Sequence, residues 1–122
     1  MKITEFSPMV VSPNADEIIK LFEDLGFEKE HAKEGIEDRI TSVTMTNEND
    51  FTMTIANSDH LKTDLLMIRM NVDNFDEAYK TLIEHGFVNP RGDQITETPT
   101  SKSTLLYSPS GFGINITEHI KK

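Results

Sequence analysis

A stretch of fourteen residues occurs twice in this chain, and the repeat constrains the fold more than any other feature of the sequence. Residues 14–27 read NADEIIKLFEDLGF and residues 74–87 read NFDEAYKTLIEHGF, with six of the fourteen positions identical. The offset of 60 in a chain of 122 residues divides the sequence into two halves of similar design. The sequence therefore predicts one domain built from two related units, at approximately residues 1–58 and 62–122.

Each copy of the repeat predicts a helix. Asn14 and Asn74 each precede a glutamate by three positions, which is the pattern of an N-terminal capping box. Gly26 and Gly86 follow the last turn, where glycine takes up the left-handed conformation that ends a helix. Between the capping asparagine and the terminal glycine of each copy, apolar residues recur at helical spacing. They are Ile18, Leu21, Phe22 and Leu25 in the first copy and Ala78, Tyr79, Leu82 and Ile83 in the second.

Segments rich in β-forming residues surround each helix, and several alternate apolar with polar residues. The predicted strands are Ile3–Val11, Arg39–Asn47, Phe51–Ala56, Leu65–Val72, Ser103–Ser108 and Ile114–His119, with further strands starting at Phe27 and Phe87. Residues 89–100 are predicted as a loop because they contain two prolines and a glycine. The order is β-α-β-β-β, twice.

Composition excludes several classes of function. The 21 acidic residues outnumber the 12 basic ones, and a net charge of −9 argues against nucleic acid as a partner. There are no cysteines, so disulfides, thiolate catalysis and zinc–sulfur sites are excluded. No apolar run approaches the roughly 18 residues that a membrane span needs, and the first residues do not resemble a signal peptide. We expect a cytoplasmic protein.

Three stretches carry a resemblance to a known family: KLFEDLGFE (20–28), NVDNFDEAYKTLIEHGF (71–87) and YSPSGFGINI (107–116). With the strand order, they resemble the glyoxalase/bleomycin-resistance/extradiol-dioxygenase superfamily, also called vicinal oxygen chelate proteins. The resemblance implies an α+β fold in which two βαβββ units form a curved mixed sheet of eight strands around a concave cavity. It also implies a homodimer. Many members of the family hold a divalent metal ion in the cavity.

The residues at the family's metal positions depart from its pattern. The four strand positions that hold histidine, glutamine or glutamate in metal-binding members fall here on Phe6, Thr54 (or Thr52, two residues away), Met67 and Asn115. Phenylalanine cannot ligate a metal, and thioether, hydroxyl and amide groups are poor substitutes for carboxylate and imidazole. The sequence therefore predicts no metal and no cofactor.

Arg69 alternates with the helix-facing residues of its strand, so it is predicted to lie in the cavity, where its charge requires a carboxylate from this chain or from a ligand. Tyr107 is predicted to reach the same space. The complete set of predicted ligand-binding residues is Phe6, Thr52, Thr54, Met67, Arg69, Tyr107 and Asn115.

The remaining titratable residues do not restore a metal site. His85 is predicted in a helix C-terminal turn, and His60 in a polar loop. Glu118 and His119 are adjacent in a strand, so they point to opposite faces of the sheet. His31 lies in the charged stretch EKEHAKEGIED, which is predicted to be solvated, and Glu34, Glu37 and Asp38 form an acidic cluster in a loop there.

Three functions are compatible with these features. The leading hypothesis is a metal-free protein of the bleomycin-resistance kind that binds a small molecule of unknown identity in the concave sheet or in a dimer groove. The second is a metal-dependent glyoxalase- or dioxygenase-type lyase or oxidoreductase with an atypical site. The third is a non-catalytic structural or regulatory dimer with a filled cavity.

Overall fold

The computed structural model describes residues 1–33 and 41–120. These residues contain two helices and eight strands, which belong to one mixed sheet. In chain order the elements are β1 (Ile3–Ser12), α1 (Ala15–Asp24), β2 (Glu28–Lys33), β3 (Thr41–Thr46), β4 (Thr52–Asn57), β5 (Leu65–Val72), α2 (Phe75–Glu84), β6 (Thr96–Thr98), β7 (Ser101–Tyr107) and β8 (Gly113–His119). The predicted α+β class and the doubled β-α-β-β-β order are confirmed.

The chain divides into two compact units. Residues 7–66 form the first, here called the N-terminal unit. Residues 1–6 group with the chain from residue 67 onwards in the second, the C-terminal unit. No helix in the described ranges has both the length and the apolar character that crossing a membrane requires.

In the N-terminal unit the strand order is β2-β3-β4-β1, with β4 and β1 parallel. Met45 lies opposite Met53 and Val43 lies opposite Ile55, so these four side chains share one face of the sheet. That face packs against Ala15 and Ile19 of α1 to form a core. The threonines of β3 and β4 alternate with these apolar residues and point to the other face.

In the C-terminal unit the strand order is β5-β8-β7-β6, with β5 and β8 parallel and the other pairs antiparallel. One face of this sheet packs against α2. The buried core residues are Met70, Val72, Phe75, Ala78, Leu106, Ile114 and Ile116. The residues that alternate with them on β5 and β8 therefore lie on the opposite face.

The strand predicted to start at Phe27 is confirmed as β2, and residues 28–30 at its start are exposed, as predicted for this charged stretch. Two predictions for the chain after α2 are corrected. In place of the strand predicted to start at Phe87, Val88 forms an isolated bridge to Tyr107, and the predicted loop of residues 89–100 contains the short strand β6. A strand of three residues is too short for an alternating pattern to be recognised in the sequence.

The capping prediction holds for α2 and is wrong for α1. Asn74 is extended, at φ −146° and ψ 95°, and its side chain accepts a hydrogen bond from the Glu77 N–H at 3.1 Å. Asn14 has φ −125° and ψ 47° and makes no such bond. Its own N–H donates to Ser12 Oγ at 2.9 Å instead. Both helix-ending glycines have the predicted positive φ, 101° at Gly26 and 91° at Gly86.

The buried stripe of α1 differs from the predicted one. Ala15 and Ile19 are buried, whereas the predicted Leu21 and Leu25 are exposed. Ile18 and Phe22 pack against the core from its edge. In α2, Ala78, Tyr79 and Leu82 pack as predicted, and Ile83 is exposed.

Candidate functional site

The sheet face of the C-terminal unit that points away from α2 carries most of the predicted site residues. Neighbouring strands align Met67 with Gly113, Arg69 with Asn115, and Asn71 with Thr117. Directly paired residues point to the same side of a sheet, so these six positions form one surface with Tyr107, which is paired with Gly113. We call this surface, together with Glu5, the polar face.

Arg69 is the cationic residue of the polar face. Its side chain is 18% exposed, and Nη1 lies 3.6 Å from Glu5 Oε2. The Glu5 side chain is 62% exposed, so water screens the attraction and the pair contributes little to stability. The carboxylate that the sequence requires for Arg69 is therefore supplied by this chain, through a single long contact. Most of the five guanidinium N–H donors have no acceptor within residues 1–33 and 41–120.

Asn71 is the most buried polar residue of the polar face, at 7% exposed. Its Nδ2 donates to Glu5 Oε2 at 3.1 Å. This bond fixes the amide orientation because a carboxylate can only accept. The Oδ1 atom on the other side of the amide is buried and has no hydrogen-bond partner in the part of the chain that the structure describes. A buried unsatisfied acceptor costs roughly 1–3 kcal/mol.

Asn115 lies opposite Arg69 and adds a second group of donors. Its Oδ1 accepts a hydrogen bond from Thr117 Oγ1 at 3.1 Å. This bond directs the Nδ2 group of Asn115 away from Thr117, and that group makes no hydrogen bond within the described residues. Donors from two adjacent strands thus remain available.

The other end of the polar face is apolar and tightly packed. Met67 is buried, and a Cβ atom placed on Gly113 would lie 3.2 Å from Met67 Cβ and 3.3 Å from Tyr107 Cε1. The Tyr107 ring therefore lies over Gly113, next to Met67. The predicted strand Ile114–His119 left out Gly113, although a glycine in a strand often marks such a close approach.

The other predicted residues lie elsewhere. Phe6 is 63% exposed. Because neighbours in a strand point to opposite faces, the structure places Glu5, and not Phe6, on the polar face. Strict alternation along β1 is the signal that could have identified Glu5. Thr52 and Thr54 lie on β4 of the N-terminal unit. Thr52 is exposed, and Thr54 is buried with no hydrogen-bond partner for its Oγ1 in the described ranges.

The donor set does not fit the divalent metal ion that the resemblance implies. Met67 and Asn115 offer a thioether and an amide, and Thr54 offers a hydroxyl, whereas hard cations prefer carboxylates and imidazoles. Within residues 1–33 and 41–120, no three histidine, aspartate or glutamate side chains are grouped to hold a metal ion.

The histidines lie where the sequence placed them, as far as they are described. His85 is the C-cap residue of α2, and His60 is exposed in a turn. Glu118 accepts a hydrogen bond from the Phe75 N–H at the start of α2, at 2.6 Å, so it faces the helix rather than the polar face. The acidic cluster of Glu34, Glu37 and Asp38 lies outside the described residues.

Comparison with known proteins matches the fold but not the sequence. No protein family model and no curated protein matches the chain. Among solved structures, a methylmalonyl-CoA epimerase from Mycobacterium tuberculosis superposes with a TM-score of 0.70 at 12% identity, over 98% of this chain and 90% of that one. A glyoxalase/bleomycin resistance protein/dioxygenase superfamily member from Vibrio splendidus 12B01 gives 0.63 at 13% identity, over 96% and 99%. The chain has the glyoxalase/bleomycin resistance/dioxygenase superfamily fold.

A third solved structure is likewise similar to this chain in fold but not in sequence. A Streptomyces coelicolor methylmalonyl-CoA epimerase variant, solved in complex with 2-nitronate-propionyl-CoA, gives a TM-score of 0.66 at 11% identity, over 98% of this chain and all of that one. At this level of identity the likeness establishes the fold and not the activity. The function must therefore be argued from the residues on the polar face.

Proposed function

We propose that this protein is a metal-free, non-catalytic member of the superfamily, and that it binds a small molecule on the polar face. The observation that carries the proposal is the replacement of metal-ligand chemistry by hydrogen-bonding chemistry. Met67 and Asn115 stand at two family ligand positions, and beside them Arg69 and Asn71 hold polar groups that have no hydrogen-bond partner within the described residues.

Buried polar groups without partners are costly to keep in a folded protein. A ligand that satisfies them recovers that cost on binding, which makes such groups useful for recognition. The apolar end formed by Met67 and Tyr107 offers packing for the rest of the ligand. This combination of a few polar groups with an apolar wall is typical of small-molecule sites.

The proposal extends to assembly and location. Exposed apolar side chains of the C-terminal unit, among them Ile3, Val88 and Phe112, are candidates for burial in a homodimer. We propose the cytoplasm as the location and expect no binding to nucleic acid or membranes. Sedimentation velocity at several protein concentrations would measure the assembly, and a monomer throughout would remove the dimer from the proposal.

Thermal melting in the presence of metal ions tests the metal-free function. The protein is melted after treatment with a chelator, and again with Ni²⁺, Zn²⁺, Mn²⁺ or Fe²⁺ added. A ligand that binds only the native state raises the melting temperature. We expect the same melting temperature in every sample. A metal that stabilises the protein at one equivalent would overturn the proposal in favour of a metal-dependent lyase or oxidoreductase.

A further inference from the structure

We propose that the ligand of the polar face is a compact zwitterion, with an ammonium group beside a carboxylate, as in a free α-amino acid. The inference rests on the proposed function, because it names the chemical class of the molecule that the same surface binds. It is drawn from four side chains of the C-terminal unit: Glu5, Arg69, Asn71 and Asn115.

Arg69 and Asn115 require an acceptor. The Arg69 side chain is 18% exposed, and the ionic contact that it makes within the described residues is 3.6 Å long. Asn115 is paired with it across β5 and β8 and has a free Nδ2 group. A planar carboxylate matches the fork of N–H groups on an arginine and can accept from the neighbouring amide as well.

Asn71 and Glu5 require a donor. Asn71 Oδ1 is buried and has no partner among the described residues. The hydrogen bond from Asn71 Nδ2 to Glu5 keeps the amide in this orientation, because turning it over would place Oδ1 against the carboxylate. Glu5 Oε1 accepts no hydrogen bond within the described residues. An ammonium group carries three N–H donors and a positive charge, so it can bind the amide oxygen and the carboxylate together.

The two requirements lie at a distance that a small molecule can span. Arg69 and Asn71 are separated by two residues along β5, which corresponds to about 6.6 Å between their Cα atoms. Their side chains lie on the same face, and Glu5 contacts both of them. A small ligand whose carboxylate carbon is bonded to the carbon that carries the ammonium group could therefore reach Arg69 with the carboxylate and Asn71 with the ammonium group.

Charge balance favours a zwitterion over a simple ion. An anion bound to Arg69 would lie close to the Glu5 carboxylate, and the net charge of −9 would also repel it. A cation bound to Glu5 would lie close to the Arg69 guanidinium. A molecule with both charges places each one next to its opposite and leaves the net charge of the site unchanged.

Isothermal titration calorimetry with the standard α-amino acids tests this inference. For the amino acid that binds best, the deaminated carboxylic acid and the decarboxylated amine are titrated as matched probes. We expect each of these to bind at least about tenfold more weakly, a loss of about 1.4 kcal/mol. The Arg69→Met and Asn71→Leu variants should lose binding by at least the same factor, and Arg91→Met, which removes an exposed arginine of the 89–96 loop, should not.

Three outcomes would overturn the inference: no amino acid binds, the deaminated acid binds as tightly as the amino acid, or both polar-face variants bind like the wild type. Circular dichroism and melting curves establish that each variant is folded. If the protein proves metal-free but no amino acid binds, the zwitterion fails while the proposed function stands. A stoichiometric metal would instead remove the proposed function itself.

Discussion

The Glu5 carboxylate accepts a hydrogen bond from Asn71 Nδ2 at 3.1 Å, and this contact determines which way the buried amide points. The same oxygen lies 3.6 Å from Arg69. Glu5 therefore orients Asn71 and partly neutralises Arg69, and it leaves both residues with unused hydrogen-bonding groups on the polar face.

Replacing Asn71 with leucine should stabilise the ligand-free protein. The substitution removes a buried acceptor that has no partner and introduces an apolar side chain of similar size, so we expect a gain of about 1 kcal/mol in the free energy of unfolding. Urea denaturation measures it. Asn71→Asp is the matched control and should destabilise the protein, since it places a buried carboxylate next to Glu5. A clear loss of stability in Asn71→Leu would mean that the amide has a structural role.

Adding a methyl group at Gly113 should disturb the Met67–Tyr107 end of the polar face. The new Cβ would meet Met67 Cβ at 3.2 Å and Tyr107 Cε1 at 3.3 Å, so Met67 or the ring must shift by a few tenths of an ångström. We expect Gly113→Ala to lower the free energy of unfolding by about 1–3 kcal/mol.

Combining Gly113→Ala with Tyr107→Leu tests whether the ring is the cause. If it is, the double variant should lose less stability than the sum of the two single variants. Additive losses would show that the ring does not transmit the effect.

The repeated helices should respond differently to loss of their first asparagine. Asn74→Ala removes a cap hydrogen bond and should cost about 1 kcal/mol. Asn14→Ala removes a side chain that makes no cap bond, so it should change stability by less than about 0.5 kcal/mol. Thermal melting of both variants measures the difference. Equal losses would contradict the capping geometry described for α1.

Glu118 should stabilise the start of α2. Its carboxylate accepts a hydrogen bond from the Phe75 N–H at 2.6 Å, at the helix end that favours negative charge. We expect Glu118→Gln to cost about 1 kcal/mol. Glu84→Gln, at the opposite end of the same helix, is the control and should leave stability unchanged or raise it. Equal losses of stability in the two variants would contradict a specific stabilisation of the helix start by Glu118.

The repeat predicted the topology because its helices, stops and flanking strands depend on short-range patterns. Asn74, Gly26 and Gly86 adopt the backbone conformations that these local patterns predict. Asn14 occupies the same position of the repeat but makes no cap bond; its backbone is at ψ 47° and its N–H donates to Ser12 Oγ. The capping pattern does not include this contact.

The candidate site was predicted less completely than the fold. Alternation along β5 predicted that Arg69 lies on the face away from the helix, where the structure has it. Asn115 and Phe6 were instead located by counting from the motifs that carry the resemblance. The count in β1 falls one residue from Glu5, and neighbours in a strand lie on opposite faces of the sheet. The orientation of the Asn71 amide could not be predicted, since it depends on a hydrogen bond to a residue 66 positions away.

The metal content of the purified protein is the most direct test of the account. The protein is produced in medium supplemented with nickel, zinc, manganese and iron, purified without chelator, and analysed by inductively coupled plasma mass spectrometry. We predict only trace metal, because Met67, Asn115 and Thr54 do not supply the donors that a divalent ion prefers. One equivalent of a single metal per chain, retained through dialysis, would contradict the metal-free function.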